Sequence, residues 1–144
     1  MKPSRLALPC LVLGAALAGP AQAQTEIQWW HSMGGALGEW VNDLAKDYNA
    51  SQKDYKVVPT FKGSYDESMT AAIAAFRAGN APHILQVFEV GTATMMASKG
   101  AVVPVGKVMA DAGQKFDPKI YVPAVAGYYT APNGQMLSFP FNSS

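Results

Sequence analysis

The sequence predicts an α/β fold, a mostly parallel sheet flanked by helices. Three observations predict it. Short β-branched or aromatic runs alternate with segments of helical apolar spacing, in the order β-α-β-α-β-α. The third of these runs is short and mostly apolar, as suits a buried parallel strand. The turns after all three strands carry Gly, Ser or an acid, the residue types found where such sheets meet ligands.

The elements follow in order. Glu26 to Trp30 reads as the first strand. Gly34-Gly35 permit a turn, and Leu37, Trp40, Val41, Leu44 and Tyr48 then recur at helical spacing, with Glu39, Asp43, Lys46 and Asp47 on the other side. Asn49 is a natural end to that helix. Tyr55 to Phe61 reads as the second strand, and Pro59 within it argues for an edge position or an early end. Ser64-x-x-Glu67 has the form of a capping box for a helix whose stripe is Met69, Ala72, Ile73 and Phe76, stopped by Gly79. His83 to Phe88 is the third strand, and Thr92 is placed to cap a short helix running to about Lys99. Beyond Gly100, Val102 to Val105 fits a short strand and Val108 to Ala112 a helical turn. Tyr128 to Thr130 and Gln135 to Phe139 fit a hairpin about Pro132-Asn133-Gly134.

The N-terminus has a different character. Lys2 and Arg5 precede a mostly apolar run from Leu6 to Ala18, and Ala21-Gln22-Ala23 is an A-x-A site. That pattern predicts a secretory signal peptide over residues 1–23, cleaved after Ala23. The run is short for a membrane span and is broken by Gly19-Pro20. Cys10, the single cysteine, lies inside it, so the exported chain has no thiol. From Gln24 onward nine basic residues face ten acids, and no strong field points to nucleic acid or to an anionic membrane.

Catalytic signatures are absent. There is no P-loop, no G-x-G-x-x-G, no H-E-x-x-H and no G-x-S-x-G. The two histidines, His31 and His83, have no metal-ligand neighbours at useful spacing, so neither a metal nor a cofactor is expected. His31, at the exit of the first strand, is expected to hydrogen-bond the adjoining turn. Tyr65 at a helix start either meets a ligand or packs on its own helix. Glu89 follows an apolar strand and precedes Gly91, in the predicted crevice. A carboxylate there can accept two hydroxyl hydrogen bonds from a polyol, or remain a solvated acid beside the next helix. Trp29-Trp30 and Tyr128-Tyr129 offer flat walls for a sugar-like ligand, at most one of each pair facing the same way.

Five stretches carry a family resemblance: Trp30 to Met33, Pro59 to Tyr65, Ile73 to Pro82, Gln86 to Met96 and Pro140 to Ser144. They resemble the extracellular solute-binding proteins of ATP-binding cassette importers, the family of maltose-binding protein, and specifically its periplasmic sn-glycerol 3-phosphate binders. The resemblance implies a periplasmic-binding-protein type II fold, two α/β lobes closing on ligand. It implies that residues 24–144 are the N-terminal lobe, ending near the first crossover between lobes, with the second lobe missing. Tyr65, Glu89 and Ser144 match ligand-contacting positions, with Glu89 on the glycerol hydroxyls. The ligand implied is sn-glycerol 3-phosphate and related glycerophosphodiesters, the partners are the membrane permease subunits, and the protein is a periplasmic monomer and not an enzyme. The alternatives are a binder of another sugar or polyol, a remnant of a disrupted gene, and a secreted enzyme using Glu89 as base.

Overall fold

The computed structural model describes residues 24–98 and 100–142; the proposed signal peptide, Lys99, Ser143 and Ser144 lie outside it. Strand β1 (Thr25–His31) is central. Strand β2 (Tyr55–Phe61) lies on one side and β3 (Ile84–Leu85) on the other, both parallel to β1. Helix α1 (Gly35–Ser51) connects β1 to β2 and packs mainly on β2; α2 (Tyr65–Arg77) connects β2 to β3 and reaches β1. This is the α/β arrangement expected. Because the chain steps from β1 to β2 and then back across to β3, the sheet has a topological switch beside β1, where open α/β sheets form a crevice.

Local chemistry explains the element ends. Gly63 takes φ +81°, and a Cβ there would collide with the Glu67 carboxylate. That conformation lets the chain leave β2 and start α2 with the capping box intact. Ser64 Oγ accepts from the Glu67 N–H at 3.3 Å, and Glu67 Oε2 accepts from the Ser64 N–H at 2.7 Å. The Ser64 backbone N–H foremost, and the Ser64 side chain after it, hold the Glu67 carboxyl below its ordinary pKa. Ser64→Ala is expected to cost about 1 kcal/mol of stability. Thermal unfolding is the check, and an unchanged midpoint would show that the cap contributes nothing.

The free side of β2 is answered at two of its rungs and lacks a donor at a third. Successive strand residues point their backbone groups to opposite sides, and Tyr55, Val57 and Pro59 face away from β1. The Gln52 amide accepts from Tyr55 N–H and donates to Tyr55 C=O, at 2.8 and 2.7 Å. The Asn49 amide does the same for Val57, at 2.7 and 2.8 Å. Pro59 has no N–H. It sits in an edge strand, as expected, and does not end it early.

Several expectations need correction. The third strand is two residues long rather than six, because the chain turns after Gln86 into a 3₁₀ turn at Glu89–Gly91. Backbone bonds from His83 to Gln28 and from Gln86 to Trp30 extend the pairing on either side. Thr92 is not a cap. It is the first residue of α3 (Thr92–Ala97), behind Gly91, and α3 has no side-chain cap. Val102 to Val105 forms no strand: Pro104, lacking a donor, leads instead into α4 (Val105–Asp111). Pro123 opens a further helix, α5 (Pro123–Tyr128), where only punctuation was expected. The hairpin contracts to one antiparallel bridge, Thr130 with Met136, since α5 takes up Tyr128.

The core among the described residues is thin. Met33, Val41, Ala45, Ala72 and Met136 are its buried apolar members. The large side chains of the expected helix stripes are only half covered: Leu37, Trp40, Leu44 and Tyr48 on α1, Ile73 and Phe76 on α2. A three-stranded sheet is too narrow to cover both faces of its longer helices.

Candidate functional site

The carboxyl ends of β2 and β3 lie on one edge of the parallel sheet, and a cavity of about 240 Å³ opens there. Tyr65 reaches it from the first turn of α2, and Glu89 from the 3₁₀ turn after β3. Tyr129 and the stretch from Ser138 to Asn142 also line it. Two of the three predicted site residues, Tyr65 and Glu89, therefore line one cavity. Ser144 lies outside the described residues; the chain leading to it, through Asn142, forms part of the wall.

The cavity joins flat rings to hydrogen-bonding groups. The Tyr65 and Phe88 rings lie with centroids 5.4 Å apart at 35°. Glu89 is exposed, with a side chain free to accept hydroxyl donors. Burial pushes the Tyr129 phenol above its ordinary pKa, and the Glu89 carboxylate and Tyr128 phenol push it the same way. Tyr129 therefore stays protonated at neutral pH, a donor beside an acceptor. Of the tyrosine pair, Tyr129 lines the cavity while Tyr128 is 55% exposed. The hydroxyls of Thr92 and Ser138, both in the lining, are buried and have no hydrogen-bond partner among the described residues. Such a set suits a small hydroxylated ligand.

A larger depression of about 460 Å³ runs along α4 and the Gln135-Met136 segment. Its charged group, Lys107, is paired with Asp111 at 2.7 Å, and nothing else in its lining converges on a ligand.

His31 performs the turn role expected of it. It is 3% exposed, lies between Trp29 and Phe61, and accepts the Met33 N–H on Nδ1 at 3.3 Å. Burial lowers its pKa, so the ring is neutral. His83, expected as a strand-edge residue, accepts the Gln28 N–H on Nδ1 at 3.0 Å. Trp29 and Trp30 diverge as predicted, but neither lines the cavity, so the pair does not supply the flat ligand wall expected of it: Trp29 meets Phe141, while Trp30 lies under the Lys62 ammonium at 3.9 Å.

Sequence reasoning missed Gln86 and Asn142. Gln86 is 8% exposed and lines the cavity. Its Oε1 accepts the Ser32 N–H at 3.0 Å, and its Nε2 donates to Asn142 Oδ1 at 3.0 Å. The available signal was a polar residue inside an otherwise apolar strand run. Among the described residues no group of three His, Cys, Asp or Glu can hold a metal, and no helix is long and apolar enough to cross a membrane.

Comparison with known proteins gives the site a context. The sn-glycerol-3-phosphate-binding periplasmic protein UgpB of Escherichia coli K12 is 57% identical over 145 aligned residues, which take in 100% of this chain and 33% of that protein. The protein of the same name from Shigella flexneri serotype 5b gives the same values. The chain thus spans about a third of the length of the curated relatives it matches. Among solved structures, the ABC substrate-binding protein Lmo0181 from Listeria monocytogenes, in complex with cycloalternan, superposes with a TM-score of 0.61 at 19% identity. That match covers 78% of this chain and 28% of the other, and is a likeness of fold. The family model for bacterial extracellular solute-binding proteins matches residues 15–144, and with it the parallel sheet and the cavity at its carboxyl edge have their place: the chain belongs to the bacterial extracellular solute-binding protein family.

Proposed function

We propose that this chain is the N-terminal lobe, residues 24–144, of a periplasmic substrate-binding component that delivers sn-glycerol 3-phosphate to the permease subunits of an ATP-binding cassette importer. The observation that carries the reading is the convergence of Tyr65 and Glu89 on one cavity at the carboxyl edge of the sheet. The 57% identity to glycerol-3-phosphate-binding relatives along the whole chain supplies the ligand. In this reading Glu89 accepts the glycerol hydroxyls, and Tyr65 and Ser144 hold the polar end. In this reading the protein binds its ligand without converting it, in keeping with its membership of a solute-binding family.

The test is a chimera in which this chain replaces the N-terminal third of the Escherichia coli relative. Calorimetry is expected to show saturable binding of sn-glycerol 3-phosphate, with the ligand recovered unchanged. No binding by a folded chimera would reject the reading.

Export is expected to remove residues 1–23, so the intact mass of the periplasmic product is that of a chain starting at Gln24. A product that retains Lys2 would reject the cleaved signal.

A further inference from the structure

The Phe139–Asn142 segment lines the same cavity as Tyr65, yet it runs as irregular backbone outside any ladder. Something other than strand pairing holds it. One anchor is Phe141, whose ring stacks on Trp40 at 5.4 Å and 27° and meets Trp29 edge-on at 5.5 Å. The other is the buried amide of Gln86, which uses both of its ends: the carbonyl on Ser32, in the loop after β1, and the amino group on Asn142. Aromatic stacking tolerates sliding and rotation, whereas two hydrogen bonds from one amide fix position.

We propose that Gln86 is a positioning residue, a latch that fixes the Phe139–Asn142 wall against the end of the sheet and so sets the shape of the cavity this segment lines. The geometry of the latch is independent of ligand identity; its consequence for binding rests on the function proposed above. In this role Gln86 acts through Asn142. Because it is buried, breaking either bond strands a polar group.

The latch is tested by swapping its chemistry at constant shape. In Asn142→Asp, the Gln86 amino group still donates to the new carboxylate. In Gln86→Glu, the new carboxylate still accepts from Ser32, and Asn142 turns its amino group toward it. Only Gln86→Glu/Asn142→Asp sets acceptor against acceptor. Near-ultraviolet circular dichroism of the exported chain reads the Trp29–Phe141–Trp40 packing, with far-ultraviolet dichroism as the control for folding. Both single variants are expected to keep the wild-type near-ultraviolet signal, and the double variant to lose most of it at neutral pH. Acid is expected to restore it in the double variant, because two facing carboxyls share a proton well above the ordinary carboxylate range of about 4. A double variant that behaves as the singles do, or whose loss is indifferent to acid, overturns the latch. Should the double variant unfold outright, Gln86→Leu, which removes both bonds without adding charge, is expected to lose the near-ultraviolet signal; retention overturns the proposal.

In the chimera, Gln86→Leu, which removes both bonds without adding charge, is expected to raise the Kd for sn-glycerol 3-phosphate about tenfold. A latch lost by dichroism with an unchanged Kd overturns the positioning role. A chimera with wild-type Gln86 that fails to bind rejects the functional reading, while the latch is still judged by dichroism.

Discussion

Glu89→Ala in the chimera is expected to weaken sn-glycerol 3-phosphate binding by about 1–3 kcal/mol, a factor of roughly five to more than a hundred. The reason is an asymmetry in hydrogen bonding. In the open chain Glu89 is exposed and its oxygens are hydrated, so the carboxylate costs little when empty. With ligand bound and water displaced, removing it leaves glycerol hydroxyls with no acceptor, and an unsatisfied polar group in a closed cleft costs more than a hydrogen bond to water returns. Glu89→Gln keeps one acceptor oxygen and is expected to lose less. Tyr129→Phe, which removes the donor beside Glu89, leaves the acceptor pair intact and is expected to have the smallest effect of the three. Calorimetry on the series checks the ranking. An unchanged affinity in Glu89→Ala removes Glu89 from the site. Turnover of the ligand that disappears in Glu89→Ala would establish an enzyme instead.

The second large effect falls on the fold. Val41→Asp is expected to destabilise the chain by more than about 3 kcal/mol, enough to abolish a cooperative thermal transition. Val41 is fully buried, one of five buried apolar residues among those described, on the face of α1 that meets the sheet. A carboxylate there has no partner and must either ionise in apolar surroundings or draw water into the core. Val41→Ala, by contrast, removes two methyl groups and is expected to cost about 1–2 kcal/mol. Far-ultraviolet dichroism against temperature separates the two. A Val41→Asp variant that melts as wild type would mean that α1 is not held by this contact.

Much of the first half of the fold was legible, because period and punctuation agreed. The Tyr55–Phe61 strand, the Ser64 capping box and the Gly79 stop each combine a local propensity with a matching neighbour. The second half was not, since its structure depends on proline context: Pro104 and Pro123 each begin a helix rather than interrupt the chain. The site was legible where strand order alone decides it. Tyr65 and Glu89 follow β2 and β3, and parallel strands deliver both to one edge. Gln86 and Asn142 were missed because their roles arise from a contact across 56 positions, which no local pattern encodes. The exposure of Trp40 and Leu44 was likewise unreadable: helical spacing marks a stripe as apolar without saying how much sheet exists to cover it.

The occupied rungs of β2 have a directional consequence. Strand addition needs a row of free N–H and C=O groups, and an incoming chain reaching β2 finds two rungs already answered by the Asn49 and Gln52 amides and a third without a donor at Pro59. Those two amides imitate the backbone of a neighbouring strand while belonging to α1 and the residue that follows it, so they cannot propagate the ladder. The sheet is therefore better disposed to extend beyond β3 than at β2, where two rungs are occupied and a third has no donor.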